Sequence, residues 1–128
     1  MTAQDLMAKA RRAVESAQLL LASGDQDGAC NRAYYAMFDA ARAALWVNDP
    51  QSLAGLKTHN GLITAFSLQV VKAGKVSVEL GKAINKVEDL RLIADYRDDP
   101  LDPEHVTWAV QQASRFVEEI GKLIPAGH

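Results

Sequence analysis

The sequence predicts an all-α fold, a single domain over residues 1–128 built as an antiparallel, up-and-down bundle of four main helices plus one short helix. Three observations lead to this prediction. Apolar residues recur at three- and four-residue spacing along most of the chain, and no segment shows the strict apolar–polar alternation of a strand. Short polar turns separate the helical segments, which makes successive helices antiparallel neighbours.

The first helix is predicted from about Thr2 to Ala22. Thr2 is suited to be its N-cap, and Asp5, three residues later, forms an imperfect capping box with it. The pair Ser23-Gly24 ends the helix. Its apolar face consists of Leu6, Ala10, Ala13, Val14, Ala17, Leu20 and Leu21.

The second helix is predicted to begin near Asp25, a favourable N-cap, and to continue to about Trp46 or Val47. Its segment 31–38 reads Asn-Arg-Ala-Tyr-Tyr-Ala-Met-Phe and is apolar or aromatic most of the way round. A helix that meets water on one side shows a single apolar stripe. We therefore predict that this helix is central in the domain, contacts a second subunit, or does both. Residues 48–52 carry turn-forming side chains and are predicted to form a loop.

The second half of the chain contains the short helix and two long ones. Thr58 can cap a short helix that runs to about Val71, after which Gly74 breaks the pattern. A further helix is predicted from about Ser77 to Tyr96.

A predicted turn over residues 98–101 leads into the last helix. Asp102 as N-cap, followed by Pro103 in the first turn and Glu104 near the positive end of the helix dipole, is a strong helix start. This helix frays after Pro125.

The composition is typical of a soluble globular protein, with 48% hydrophobic and 23% charged residues and a formal net charge of -2. This charge provides no global basic field for nucleic acid, so an RNA site would have to be local. The single cysteine, Cys30, is predicted to be a buried structural thiol in a reducing compartment. The chain shows no signal-peptide pattern and no run of roughly 18 apolar residues. We therefore expect a bacterial or archaeal cytoplasmic protein.

No metal or cofactor is predicted. The three histidines (His59, His105 and His128) do not pair with one another, with cysteine or with carboxylates at the spacing of a zinc or di-iron site, and a Glu-x-x-His motif is absent. There is no Gly-rich phosphate loop after a strand and no local signature of a catalytic triad.

The segment 57–61, which reads Lys-Thr-His-Asn-Gly, is a first candidate site. Lys57 and His59 beside the free N–H groups of a helix N-terminus could hold an anion such as a phosphate. Alternatively, Thr58 simply caps the helix and His59 packs or hydrogen-bonds at a helix junction. The sequence favours the second interpretation.

The segment around Arg91 is the other candidate. Arg91 and Asp95 are four residues apart and predict an intrahelical ion pair worth only about 0.3 kcal/mol. Arg91 and Tyr96 are separated by about 140° around an ideal helix, so they would not point to one spot. They would line a shared groove if the helix end loosens at Tyr96, or if a second subunit completes the site.

Three blocks in order carry a family resemblance: Asn-Arg-Ala-Tyr-Tyr-Ala-Met-Phe at 31–38, Lys-Thr-His-Asn-Gly at 57–61 and Arg-x-x-Ala-Asp-Tyr at 91–96. Together they resemble the small prokaryotic HEPN-domain proteins, where HEPN stands for higher eukaryote and prokaryote nucleotide-binding. The resemblance implies a helical bundle that is usually a homodimer, with the functional cleft where the subunits meet. It also implies a minimal nucleotidyltransferase as partner, because the two proteins are often encoded side by side and some pairs act as toxin and antitoxin.

In active members of this family the HEPN protein is a metal-independent ribonuclease. Its motif is an Arg followed after four to six residues by a His, assisted by a polar residue from the second helix. The Arg stabilises the phosphorane charge while the His moves the 2′-hydroxyl proton. Here Arg91 matches the Arg, but Tyr96 stands where the His would, and a tyrosine hydroxyl is a poor general base at neutral pH. Asn31 or Arg32 would match the second-helix residue, and His59 could replace the missing His only if the fold brings it near Arg91.

The resemblance thus assigns catalysis to Arg91 and Tyr96. The candidate binding residues are Asn31, Arg32, Lys57, His59 and Asp95.

Three functions remain open at this point. The first is the HEPN component of a nucleotidyltransferase–HEPN pair that has a degenerate ribonuclease motif and binds nucleotide, RNA or the partner at a dimer cleft. The second is an active toxin ribonuclease that uses Arg91 with Tyr96 or His59. The third is a non-catalytic helical adaptor. The resemblance also admits modification of the Tyr96 hydroxyl by the partner enzyme.

Overall fold

The computed structural model describes residues 2–56, 58–97 and 100–125, without the side chains of residues 52 and 54, and it confirms the all-α bundle. The described part contains no strand. Its elements are α1 (Ala3–Ala22), α2 (Gln26–Asn48), α3 (Pro50–Ala54), α4 (His59–Phe66), a π-helical segment (Ser67–Val71), α5 (Val78–Tyr96) and α6 (Pro103–Gly121).

The side chains that cap the helices include all four N-caps expected from the sequence, and Ser77 caps a helix in addition. Thr2 and Asp5 form a complete capping box at the start of α1, because each side chain accepts a hydrogen bond from the other residue's backbone N–H. The N-caps of the other long helices and of α4 likewise accept a backbone hydrogen bond through their side chains; they are Asp25, Thr58, Ser77 and Asp102. These local interactions fix where each helix begins.

Helix α2 is the centre of the domain and contacts every other helical element. Twelve of its residues are buried, more than in any other helix of the described chain. The prediction of a central helix from segment 31–38 is therefore confirmed. Alanines along α2, including Ala29, Ala33, Ala36 and Ala40, are completely buried and leave room for its neighbours to approach closely.

Two boundaries differ from the sequence prediction. The predicted loop over residues 48–52 is wrong, since α2 continues to Asn48 and Pro50 opens the short helix α3. Proline favours the first position of a helix because its φ is already helical and its missing N–H would have no partner there. The helix predicted to run to Val71 is α-helical only to Phe66 and then becomes π-helical, with the Lys72 N–H bonded to the Ser67 carbonyl. The predicted turn over residues 98–101 lies partly outside the described residues.

No helix within the described ranges combines the length and apolarity that a membrane crossing requires.

Asp39 is the one buried charged residue in the described part of the chain, with 4% of its surface exposed. Arg42 Nη1 donates a hydrogen bond to Asp39 Oδ1 at 3.3 Å. Burial nevertheless raises the pKa of Asp39, although the charges of Lys9, Arg42 and Arg32 act in the opposite direction. Ionisation of this carboxyl is thus less favourable in the interior of the bundle than in water.

We expect Asp39→Asn to raise the melting temperature at pH 7. Because the folded-state pKa lies above the unfolded-state value, the native protein loses stability as pH rises between the two values and keeps that loss at neutral pH. The uncharged amide removes this loss of stability, which is about 1.4 kcal/mol for each unit by which the fold raises the pKa of Asp39. The gain should vanish near pH 3, where Asp39 is protonated in both states, and the exposed Asp27→Asn is the control. A lower melting temperature for Asp39→Asn at pH 7 would contradict the expectation.

Candidate functional site

One face of α2 forms an aromatic cluster with the first residue of α4. The His59 ring centroid lies 5.6 Å from that of Tyr34, 6.0 Å from that of Tyr35 and 4.6 Å from that of Phe38. Three- and four-residue spacing places these α2 side chains on one side of the helix. Tyr34 is completely buried, whereas the other members of the cluster are half-buried and reach the surface.

A hydrogen bond joins Tyr34 to His59 within this cluster. The Tyr34 hydroxyl oxygen lies 3.1 Å from His59 Nδ1, and which atom donates depends on the histidine tautomer. Burial raises the pKa of Tyr34 well above its ordinary value, and the nearby Glu88 carboxylate adds to this. Tyr34 therefore remains neutral and is available as a donor to the ring nitrogen.

Arg91 packs on the same tyrosines from α5. Its guanidinium carbon lies 4.7 Å from the Tyr34 ring centroid and 5.8 Å from that of Tyr35, within the range of cation–π interactions. Arg91 and His59 therefore share Tyr34 and Tyr35 as neighbours. The fold thus brings His59 to the same cluster as Arg91, connected through Tyr34.

Two carboxylates flank the Arg91 guanidinium. Nη1 lies 3.0 Å from Asp95 Oδ2, and Nη2 lies 3.9 Å from Glu88 Oε1, while the side chain is only 12% exposed. The Nε atom is buried without a hydrogen-bond partner in the described part of the chain. The positive charge is compensated inside the domain, so an anionic ligand could reach it only by displacing a carboxylate.

Cys30 lies close to this site, but its thiol is buried and hard to ionise. Burial raises the pKa of its thiol to about 11, with a contribution from Asp27, and Arg91 only partly opposes this. The thiol is therefore protonated at neutral pH, which confirms the prediction of a buried structural cysteine.

Comparison with protein-family models matches the HEPN domain over residues 3–123. The chain belongs to the HEPN-domain family. This HEPN domain is 34% identical to a UPF0332 protein from Thermotoga maritima, over 91% of the chain and 86% of the relative. A UPF0332 protein from Gloeobacter violaceus is 30% identical over 90% of each chain. A Methanocaldococcus jannaschii protein named "Putative toxin" is 31% identical over 94% of the chain and 87% of the relative.

Tyr96, the second candidate catalytic residue, lies apart from the aromatic cluster. It is the last residue of α5 and 82% exposed. Helix α5 stays α-helical up to Tyr96, so the separation from Arg91 around the helix is that of a regular helix. No hydrogen bond or ring contact connects Tyr96 to the cluster within the described ranges. Of the two candidate catalytic residues, only Arg91 is at the cluster.

Of the remaining candidates, Asn31 and Arg32 lie on different sides of α2, and Asp95 lies on α5. Asn31 is half-buried and precedes Tyr34 by three residues, which places it on the face of the aromatic cluster. Arg32 is half-buried, and its charge partly opposes the rise in the pKa of Asp39. Arg32 therefore lies on the side of α2 that faces Asp39. Asp95 joins the site through its ion pair with Arg91.

The 57–61 segment matches the simpler of its two interpretations. Thr58 Oγ1 accepts a hydrogen bond of 2.9 Å from the Gly61 N–H, and His59 bonds at the junction of α2 and α4. Lys57, the other predicted anion-binding residue, lies outside the described residues.

Tyr34 connects Arg91 and His59, and the sequence alone does not predict this position for it. The pattern of segment 31–38 predicts only that its helix is central or contacts a second subunit. A cavity of about 300 Å³ next to His59 is lined by Phe38, Arg42, Leu53, Leu56, Thr58, His59 and Leu62.

The described residues contain no group of three or more His, Cys, Asp or Glu side chains that could hold a metal ion.

Proposed function

We propose that this HEPN domain is the partner of a minimal nucleotidyltransferase in a toxin–antitoxin-like pair, and that it binds nucleotide, RNA or the partner at a dimer cleft. The observation that carries the proposal is Arg91, held on Tyr34 between two carboxylates while Tyr96 is exposed elsewhere. The toxin designation in the name of the M. jannaschii relative supports the same class of function.

The geometry supports binding better than efficient RNA cleavage. A ribonuclease of this family needs a free cation for the phosphorane and a base for the 2′-hydroxyl. In the folded chain Glu88 and Asp95 compensate the charge of Arg91. Tyr96, at the position of the base, is a phenol on the surface. We infer that the ribonuclease motif is degenerate and that Arg91 serves recognition.

The uneven packing of α5 supports the dimer cleft. All four of its buried residues lie between Leu80 and Val87, and no residue from 88 to 96 is buried. Leu92 and Tyr96 expose 37% and 82% of their surface in this second half. A second copy that covers this half of α5 would remove apolar surface from water and place two Arg91 clusters beside one cleft.

The proposal predicts that the chain co-purifies with the nucleotidyltransferase encoded beside it. Both proteins are expressed together with an affinity tag on one of them, and the complex is analysed by size-exclusion chromatography and native mass spectrometry. Separately, the melting temperature of the chain is measured with mixed nucleotides and with total RNA. If the chain remains alone and neither addition changes the melting temperature, the proposal is wrong.

Mass spectrometry of the same co-expressed chain also reveals whether the exposed Tyr96 hydroxyl gains mass.

One observation favours an active ribonuclease as a second candidate function. His59 and Arg91 share the rings of Tyr34 and Tyr35, so an imidazole and a guanidinium meet at one cluster even though Tyr96 does not. In that case His59 would act as the base. Growth of cells that express the wild type or Arg91→Ala decides between the two candidates.

A further inference from the structure

A second polar site lies in a groove between α5 and α6. Lys86, Asp89 and Leu90 of α5 line it together with His105 and Trp108 of α6, and its volume is about 440 Å³. This volume is within the usual range of small-molecule pockets, roughly 300–1,000 Å³. None of these residues belongs to the aromatic cluster, and Lys86 and Arg91 point about 140° apart around α5.

The polar groups of this groove have no partner among the described residues. Lys86 and Asp89 are three residues apart on one helix, a spacing at which ion pairs form, yet neither has an ion pair in the described chain. The His105 ring and the Trp108 indole N–H likewise have no hydrogen bond to another described residue. A cation, a carboxylate, an imidazole and an indole thus line one groove without an ion pair or hydrogen bond to another described residue.

We propose that this groove binds one guanine nucleotide unit, with the base stacked on Trp108 and the phosphate held by Lys86 and His105. Stacking of a base on an aromatic side chain is worth about 1–3 kcal/mol, and the half-buried Trp108 lines the groove. Lysine and histidine are donors suited to phosphate oxygens. Leu90 provides an apolar surface beside the base.

Asp89 sets the preference for guanine. Its carboxylate is an acceptor with two oxygens. The Watson–Crick edge of guanine presents two adjacent donors, N1–H and the N2 amine, that match these oxygens. Adenine presents its N6 amine beside the N1 acceptor, so one carboxylate oxygen would face a lone pair. The chemistry is shared by free guanine nucleotides and by a guanosine within single-stranded RNA.

The fluorescence of Trp108 measures occupancy of the groove directly. The chain has two tryptophans, so Trp46→Phe leaves Trp108 as the only indole. In this background we expect GMP to quench the emission saturably and to bind about tenfold more tightly than AMP, in line with the discrimination of a two-donor contact. Asp89→Asn should abolish the preference for GMP over AMP. Lys86→Gln should weaken the binding of both nucleotides about fivefold. Lys82→Gln, one turn away on α5 and outside the groove, is the matched control.

Oligonucleotides identify the source of the ligand. A short uridine oligoribonucleotide with one central guanosine is compared with the same strand carrying adenosine. Tighter binding of the guanosine strand than of GMP supports an RNA ligand, and tighter binding of GMP supports a free nucleotide. The proposal is overturned if no probe quenches Trp108 saturably, if GMP and AMP bind equally, or if Asp89→Asn and Lys86→Gln act no differently from Lys82→Gln. Arg91 lies outside this groove, so Arg91→Ala should leave GMP binding to the groove unchanged. Failure of the groove proposal is therefore distinguishable from failure of the proposed function at the aromatic cluster.

Discussion

Tyr34→Ala is expected to lower the free energy of unfolding by about 3–5 kcal/mol, the cost of truncating a fully buried aromatic side chain. Tyr34 has no exposed surface, and it contacts Tyr35, Phe38, His59 and Arg91. Removal of its ring leaves a cavity on the central helix and takes away the surface on which Arg91 lies. For a domain of this size the melting temperature should fall by roughly 10–20 °C. Urea unfolding monitored by circular dichroism measures the effect.

Two matched variants separate the ring of Tyr34 from its hydroxyl. Tyr34→Phe keeps the ring and loses only the hydrogen bond to His59, so it should cost about 1 kcal/mol. Tyr35→Ala removes a neighbouring aromatic side chain that is only half-buried and should cost clearly less than Tyr34→Ala. Equal losses for the two alanine variants would show that Tyr34 does not organise the cluster.

The helix starts were predictable because their determinants are local. Thr2, Asp25, Ser77 and Asp102 cap helices through bonds to backbone groups at most three residues away, and such signals are readable without knowledge of the fold. The central position of α2 was also predictable, because apolar side chains of segment 31–38 surround most of the helix, whereas a surface helix has a single apolar stripe. The π-helical end of α4 was not, since the sequence 67–71 continues the same apolar pattern.

The candidate site was predictable only in part. Arg91 and Asp95 form the ion pair that their spacing predicts. Contact of Arg91 with Tyr34 depends on how α5 is rotated and placed against α2, which is a property of packing between segments far apart in sequence. The same holds for the approach of His59 to Tyr34, which requires α4 to begin beside α2. A helical pattern gives the face of a residue within its own helix but not the neighbour that this face meets.

Arg91→Ala is expected to abolish the rise in melting temperature caused by the ligand or partner that binds the cluster, and to weaken that binding at least tenfold. A hydrogen bond from a charged group is worth about 1.5–3 kcal/mol, and Arg91 is the cation at the centre of the proposed cleft. The isolated domain should lose about 1–2 kcal/mol of stability, because the cation–π contacts with Tyr34 and Tyr35 disappear. Calorimetric titration and urea unfolding give the two values separately.

Arg91→Lys and Arg12→Ala make this test specific. Lysine keeps the charge but loses the planar stacking on two tyrosines, so we expect an intermediate loss of binding. Arg12 is exposed on α1, outside the proposed cleft, so Arg12→Ala changes the net charge equally and should leave binding unchanged. If the ribonuclease motif is degenerate as proposed, expression of the wild type and of Arg91→Ala without the partner should permit equal cell growth. Growth arrest by the wild type that Arg91→Ala relieves would instead establish Arg91 as a catalytic residue, and His59→Ala would then test whether the imidazole on Tyr34 supplies the base.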